Sequence, residues 1–585
     1  MNSVWNLDVL YKGFEDEAYS KDMARFQNLV ETFNTFARNL PQCTDAKAAL
    51  VEGLVMEEEL HDLVGKMAGY ANLRQAANTK DQEAGSKMGQ ILGIYSGLAG
   101  ATAAFEQWAS NLPNLMELTE QDETLKSYKF LISNLKESSR HLLPGMGEEI
   151  MAKMEISGSE AWGDLQSYVT STVPVHYNGG VTNLSAIRNL AYDADPQVRK
   201  AAYEAEIACY KQIEAPVAFA LNSIKLETLT DCQLRGHASP LDRTLKKAHM
   251  ERATLEAMLE AMQEYMPHFR RYLRAKAKAL GHEGGLPWYD LFAPMGGNSS
   301  KWTTQQTRDY LVNLFAGFDK ELSDMVAEAF DNEWIDFYPR DGKRGGAFCS
   351  SIRSIGQSRI LTNFDGTFSD VVTLAHELGH AFHNRCIRDH RPLNHGYSMP
   401  VAETASTFNE CVVMAAAIKD AKDPGEKLAL IESQLQDATQ IICDIYSRFL
   451  FEKSVFENRP TQFMHADRLC QLMTEAQKQS YGEGLDEQGM HPYMWVCKSH
   501  YYGPTFYNFP YAFGGLFARG LYACYEQEGA SFVPKYKKLL YTTTVANAED
   551  VAKVADIDLT DKNFWRGGLQ MIVDQIDLFC SLIEE

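Results

Sequence analysis

Residues 371–380 read Val-Val-Thr-Leu-Ala-His-Glu-Leu-Gly-His, and His376, Glu377 and His380 within them decide how the chain is read. On a helix four residues turn through about 400°, so the two imidazoles fall roughly 40° apart on one face and can grip a single ion. Glu377 projects beside them. This His-Glu-x-x-His spacing suits zinc, with the glutamate as general base for a water. Upstream, Thr367-x-x-Asp370 has the form of a helix-start capping pair, and Val371, Val372, Leu374 and Ala375 give the helix a buried body. The spacing predicts a helix at about 368–385.

A catalytic zinc needs a third protein ligand and one open position. A histidine six residues beyond the second, with a glycine between, would place Gly at 383 and His at 386; the sequence has His383 and Cys386. That class of site is excluded. The other common source is a glutamate on a following helix. Ser398-Met399-Pro400 offers a helix-start serine and an early proline, predicting a helix at about 399–419 with Glu403 in its first turn. Glu410, seven residues on, returns to nearly the same face. Glu403 is therefore assigned as the third ligand and Glu410 as acceptor for a ligand imidazole. His383 could support the site from one turn below His380. Cys386 and His395 suit ligation less well, since each sits in or near the loop between the two helices.

Hydroxide attack on a carbonyl leaves an oxyanion that needs further donors. The stretch from Tyr493 to Tyr525 includes His-Tyr-Tyr-Gly-Pro-Thr-Phe-Tyr-Asn-Phe-Pro-Tyr at 500–511, a Gly- and Pro-broken segment able to aim imidazole and phenol groups from a loop. His500 and Tyr507 are the candidates, with Tyr511 next. Before the motif, Trp334 to Phe364 breaks the helical rhythm with short runs at 347–352 and 358–363, which predicts a small antiparallel sheet. Its edge around Gly345, Ala347 and Phe348 could bind a peptide by main-chain pairing.

Outside these stretches most of the sequence is helical in pattern. Met23, Phe26, Leu29, Val30, Phe33 and Phe36 recur at three- and four-residue steps, as do Leu569, Ile572, Ile576, Phe579 and Ile583. Turn-rich interruptions fall at 144–147, 177–182 and 281–300; Gly145-Met146-Gly147 reads as a helix stop. Ile91 to Phe105 is apolar but broken by Gly, Ser and Thr, too short to span a bilayer and expected as one buried helix. At 585 residues the chain should form two or more subdomains. Its 56 Lys and Arg against 78 Asp and Glu give a net charge of −22, which argues against a nucleic-acid partner. Eleven scattered cysteines without a Cys-x-x-Cys pair, and no basic-then-apolar leader, predict reduced thiols and a cytoplasmic protein with no membrane partner.

Gly-Lys-Arg-Gly-Gly-Ala-Phe-Cys-Ser-Ser at 342–351, the stretch 360–383, and Pro-Val-Ala-Glu-Thr-Ala-Ser-Thr-Phe-Asn-Glu at 400–410 together resemble the oligoendopeptidase F family of zinc peptidases, relatives of thimet oligopeptidase. The longer signature His-Glu-x-Gly-His-x-x-His is matched by His376, Glu377, Gly379, His380 and His383. The resemblance implies a mainly α, two-lobed body with a deep central channel, one zinc ion per chain, and cleavage of internal bonds in short oligopeptides. It also implies Glu403 as third ligand and Glu377 as base, with His500 and Tyr507 as the nearest matches to the family's C-terminal His and Tyr set. Thr505 and Ala512 stand where thimet-type relatives have tyrosines. An N-terminal helical lobe at 1–200 and a catalytic domain at 201–585 are the expected division.

Overall fold

The computed structural model describes residues 3–297 and 301–584, so the end of the turn-rich stretch, 298–300, lies outside the described residues. The chain is mainly α-helical with two small sheets. It forms two compact units, each drawn from three stretches of sequence. The first holds Met1–Arg140, Ser299–Ala416 and Cys524–Asp556; the second holds His141–Asn298, Ala417–Ala523 and Ile557–Glu585. Where the sequence reading expects one boundary near residue 200, the first 140 residues belong with the stretch that carries His376 and Glu403.

The reason lies in what the N-terminal helices bury. Glu17–Asn39 and Ala46–Ala77 turn Phe26, Phe33, Leu50, Met67 and Leu73 into a core that also takes in Ile352 and Leu361 from the sheet. Trp5 meets Phe348 with ring centroids 6.2 Å apart. Backbone bonds from Asn6 to Glu333 and from Phe337 to Ser3, and the Arg391–Glu58 ion pair at 2.6 Å, close the same body.

The sheet beside the motif helix has three strands, Ile335–Asp336, Phe348–Ile352 and Gln357–Leu361, with the last in the centre. Phe348–Ile352 pairs antiparallel to it, Phe348 opposite Leu361, and forms one edge. Ile335–Asp336 pairs parallel, so the sheet is mixed where the sequence reading expects an antiparallel one. Lys343 fixes the connecting turn: its ammonium sits 2.7 Å from Asp336 and donates to the carbonyls of Asp336, Tyr338 and Thr362.

The second unit packs long helices, among them Glu214–Leu234, Arg252–Ala279, Ile445–Asn458 and Lys562–Glu584, the last burying Leu569, Ile572, Ile576 and Phe579. The interruption at 177–182 is a hairpin in which Val175–Tyr177 pairs with Gly180–Thr182. Asn178 and Gly179 both adopt positive φ, 49° and 75°, as a two-residue turn of this hand requires. The apolar stretch 91–105 is two helices, Gln82–Ser96 and Ala99–Ser110, broken at Gly97 and Leu98. Helix Gly145–Glu155 starts at the glycine pair read as a stop. No helix among the described residues is long and apolar enough to cross a membrane.

Candidate metal centre

The motif helix runs Phe368–Cys386 and begins with the expected box: the Thr367 hydroxyl accepts from the Asp370 amide at 3.2 Å, and the Asp370 carboxylate accepts from the Thr367 amide at 2.9 Å. Along the helix Val371, Leu374, Leu378, Ala381 and Phe382 are buried, which turns His376 and His380 together to the partly open face. The second helix is not continuous. Met399–Ala402 stops at Glu403, and Thr404–Asp420 begins directly after it. Ser398 makes no side-chain cap; the break at Glu403 instead lets its carboxylate face the histidines.

Glu403 Oε2 lies 3.2 Å from His376 Nε2 and 3.4 Å from His380 Nε2. Ligands held tetrahedrally at about 2.1 Å from zinc stand roughly 3.4 Å apart, so these atoms have the spacing of a zinc shell. Among the described residues His376, His380 and Glu403 form the one cluster of three or more such side chains able to hold a metal. His376 Nδ1 lies 2.5 Å from Glu410 Oε1, a bond that commits this nitrogen and leaves Nε2 as the one facing Glu403.

Why the carboxylate comes so near is written in two small residues. A Cβ on Gly379 would stand 2.5 Å from the Ala405 carbonyl oxygen and from Ser406 Cα, so only glycine allows the helices to cross at this distance. Asn409 then ties them, donating to the Ala375 carbonyl at 3.0 Å. The Ser406 hydroxyl, wholly buried, is 2.7 Å from Glu403 Oε2 and orients it. Sequence reasoning missed Ser406 and Asn409; their offsets of three and six from Glu403 were the available signal.

Electrostatics favours a cation here. Burial would lower the His376 pKa, but hydrogen bonds to Glu403 and Glu410 prevail and raise it to about 10. The two histidines hold Glu403 far below the usual carboxylate range despite its burial. Glu377, 6% exposed, is shifted the other way: burial raises its pKa, opposed by His376 and His380.

His383 is wholly buried, one turn below His380 on the same helix. Its Nε2 bonds Thr543 Oγ1 at 2.8 Å and its ring stacks on Tyr397 with centroids 4.3 Å apart. Among the described residues no hydrogen bond joins it to His376, His380 or Glu403. Cys386 forms the helix end and is strongly shielded, its thiol pushed up to about 12 by burial; His395 bonds the His390 carbonyl. Gly345 and Gly346 precede the edge strand, and Asn363 donates to the Gly346 carbonyl at 2.8 Å; Ala347 adjoins Phe348, the first residue of that strand.

His500, Tyr507 and Tyr511 lie in the second unit and form a cluster of their own. The His500 ring stacks on Tyr507 at 5.7 Å, and Tyr511 meets both edge-on at 5.9 and 5.7 Å. Burial, with Arg448 and Lys498 nearby, lowers the His500 pKa. The loop is anchored by Glu452, which accepts from the Phe506 amide at 3.2 Å.

The sequence pattern of Peptidase family M3 matches residues 189–567, and that of Oligopeptidase F matches 113–173. Oligopeptidase PepF of Bacillus subtilis is 24% identical over 98% of this chain and 86% of its own length. An oligoendopeptidase F homolog of Lactococcus lactis is 23% identical over 99% of this chain and 97% of its own. In fold, the crystal structure of oligoendopeptidase-F from Enterococcus faecium superposes with a TM-score of 0.71, at 17% identity, over 97% of this chain and 99% of that one. That of a Chlamydophila abortus protein reaches 0.84, at 20% identity, over 98% of both chains. With a family pattern spanning well over half its length, the chain belongs to peptidase family M3, in the oligoendopeptidase F family of metalloendopeptidases.

Proposed function

We propose that this chain hydrolyses internal peptide bonds of short oligopeptides, with one zinc ion held by His376, His380 and Glu403. The observation that carries the reading is the spacing of the three ligand atoms, 3.2 and 3.4 Å about Glu403 Oε2, with His376 Nδ1 committed to Glu410. When bound, zinc would polarise the scissile carbonyl and bring the pKa of a water towards neutrality.

The protein's own groups do the rest. Glu377 takes the proton of the attacking water and returns it to the leaving amine; its raised pKa suits both halves of that task. Glu410 fixes the His376 tautomer, and Ser406 fixes the Glu403 carboxylate. The outer edge of Phe348–Ile352, with Gly345 and Ala347 before it, offers backbone groups for an extended peptide. His500 and Tyr507 are assigned as donors to the developing oxyanion, a role supported by their stacked imidazole and phenol rings. Eleven cysteines, none in a disulfide, accord with a cytoplasmic site of action.

The test is product mass spectrometry on a defined peptide mixture, with quenched fluorescent peptides for rates. Cleavage at internal bonds should stop on chelation and return with zinc. Glu377→Gln should retain the metal and lose roughly 10²–10⁴ in kcat/KM. Activity indifferent to chelation, or unchanged in Glu377→Gln, removes the mechanism; products trimmed only from one end remove the endopeptidase assignment.

A further inference from the structure

The second unit encloses a cavity of about 480 Å³, within the range of roughly 300–1,000 Å³ usual for small-molecule sites. Its wall comes from residues 185–206, 288–292, 436–440 and 491–498. None of these is a candidate metal ligand or catalytic group.

Two features of the wall lack explanation by packing. His491 is 1% exposed, yet neither ring nitrogen makes a hydrogen bond; Nε2 stands 3.4 Å from Glu206 Oε1. Lys498 is half-buried, and its ammonium has no ion pair or hydrogen bond among the described residues. Burial lowers its pKa, Arg448 and Arg188 act in the same direction, and Asp444, the acidic group that acts on it, is already bonded by Arg448. In a chain of net charge −22 an unpaired, partly desolvated lysine beside an arginine is an anion seat awaiting its anion.

The rest of the wall limits what that anion belongs to. Arg188 is shared with Glu206 at 3.2 Å, and Arg199 is consumed by Asp290 at 2.8 Å. The same cavity is lined by Asp437, which brings a carboxylate to the wall. A bare anion would meet that carboxylate unfavourably, whereas a molecule carrying both signs meets the lysine and the carboxylate alike favourably. The lining also carries flat aromatic surfaces, Tyr192 and Phe292 with ring centroids 5.0 Å apart and Trp288, whose ring lies 5.5 Å from His491.

We infer that this cavity is a second ligand site that binds a free α-amino acid with an aromatic or branched apolar side chain. Lys498 and Arg188 take its carboxylate, Asp437 takes its ammonium, and Tyr192, Phe292 and Trp288 cover the side chain. The inference stands apart from the hydrolytic reading, since no group of the metal centre enters it.

The experiment is isothermal calorimetry on the full-length, chelator-treated protein, so that binding to zinc contributes nothing. The probes are L-phenylalanine and L-leucine, with N-acetyl-L-phenylalanine, L-phenylalanine amide and inorganic phosphate as controls. The free amino acids should bind saturably, and each capped form at least tenfold more weakly. Lys498→Met and Asp437→Asn should each lose tenfold or more, while Lys498→Arg keeps binding within a few-fold. Circular dichroism checks the fold of each; should Lys498→Met fail to fold, the isosteric Asp437→Asn and the two capped ligands carry the decision. No binding, equal binding of capped and free forms, phosphate binding as tightly as phenylalanine, or folded variants that bind like the parent would each overturn the site.

Discussion

Two regions of this protein handle buried charge in opposite ways. In the second unit, Lys225 meets Glu452 at 2.6 Å with both side chains essentially inaccessible, and Lys276 pairs with Glu432, which also accepts from Tyr272. Each of those charges is answered by another from the same chain. Around His376 in the first unit, Glu377, Glu403 and Glu410 converge with two imidazoles, and among the described residues no lysine or arginine pairs with any of the three carboxylates. The difference separates a charge cluster that completes itself from one built to receive a cation. Such a cluster is costly unless a positive charge answers it, and the carboxylates of Glu403 and Glu410 accordingly raise the His376 pKa.

The comparison breaks most sharply at a ligand. His380→Ala should abolish peptide hydrolysis and reduce bound zinc, by elemental analysis, from one per chain to a trace. Zinc at a hundredfold excess over Kd should stabilise the parent by about 2.7 kcal/mol and leave this variant unmoved. Equal zinc-induced shifts in the thermal midpoint of both proteins would place the ion elsewhere.

In the self-completed region the loss should appear as stability instead. Lys225→Met leaves Glu452 buried without its partner and should cost about 3–5 kcal/mol. Adding Glu452→Leu should recover part of it, except that Glu452 also anchors the Phe506 amide. Chemical denaturation of both variants gives the numbers, and zinc stoichiometry should be unchanged in each.

Glu410→Gln tests the boundary between the two kinds of cluster. The amide preserves shape but forfeits a charged acceptor for His376 Nδ1, so zinc affinity should fall by about 10–100-fold, read by competition with a chromogenic chelator. An unchanged affinity would mean that the tautomer is set without Glu410.

How much of this was legible follows from distance along the chain. The capping box at Thr367 and the one-turn spacing of His376 and His380 are local, and both stand as read. The hairpin at Asn178-Gly179 was equally local but was read only as an interruption. Glu403 was reached through helix phase, yet its release from the helix was not, because that break is decided by the packing of Ala405 and Ser406 on Gly379. Least legible was the make-up of the units. Residues 1–140 join 299–416 through contacts such as Trp5 with Phe348, and no periodicity encodes a partner more than three hundred residues away.

The smallest effect lies one turn beyond His380 on the motif helix, where His383 repeats the contrast within one element. His376 and His380 face Glu403, whereas His383 is completed by Thr543 and Tyr397 and must stay uncharged. The Thr543 hydroxyl donates to the Leu540 carbonyl at 2.7 Å, so its oxygen accepts from His383 Nε2–H, leaving Nδ1 unprotonated and without a partner. Burial, aided by the nearby His380, lowers the His383 pKa to about 3. In the unfolded chain the same ring protonates near 6.5. The unfolded state therefore binds the extra proton between these values, so this contribution is intact above about pH 6.5 and is lost as the pH falls towards 3. His383→Phe keeps the stacking on Tyr397 and should cost about 1 kcal/mol at pH 7.5, for the bond to Thr543. At pH 5 the gap should close or reverse, because the variant has no proton to exclude and the parent gives up as much as about 1.4 kcal/mol per pH unit. Urea titrations of both proteins at the two pH values decide it, and a gap that stays constant would show that His383 is not held neutral by the fold.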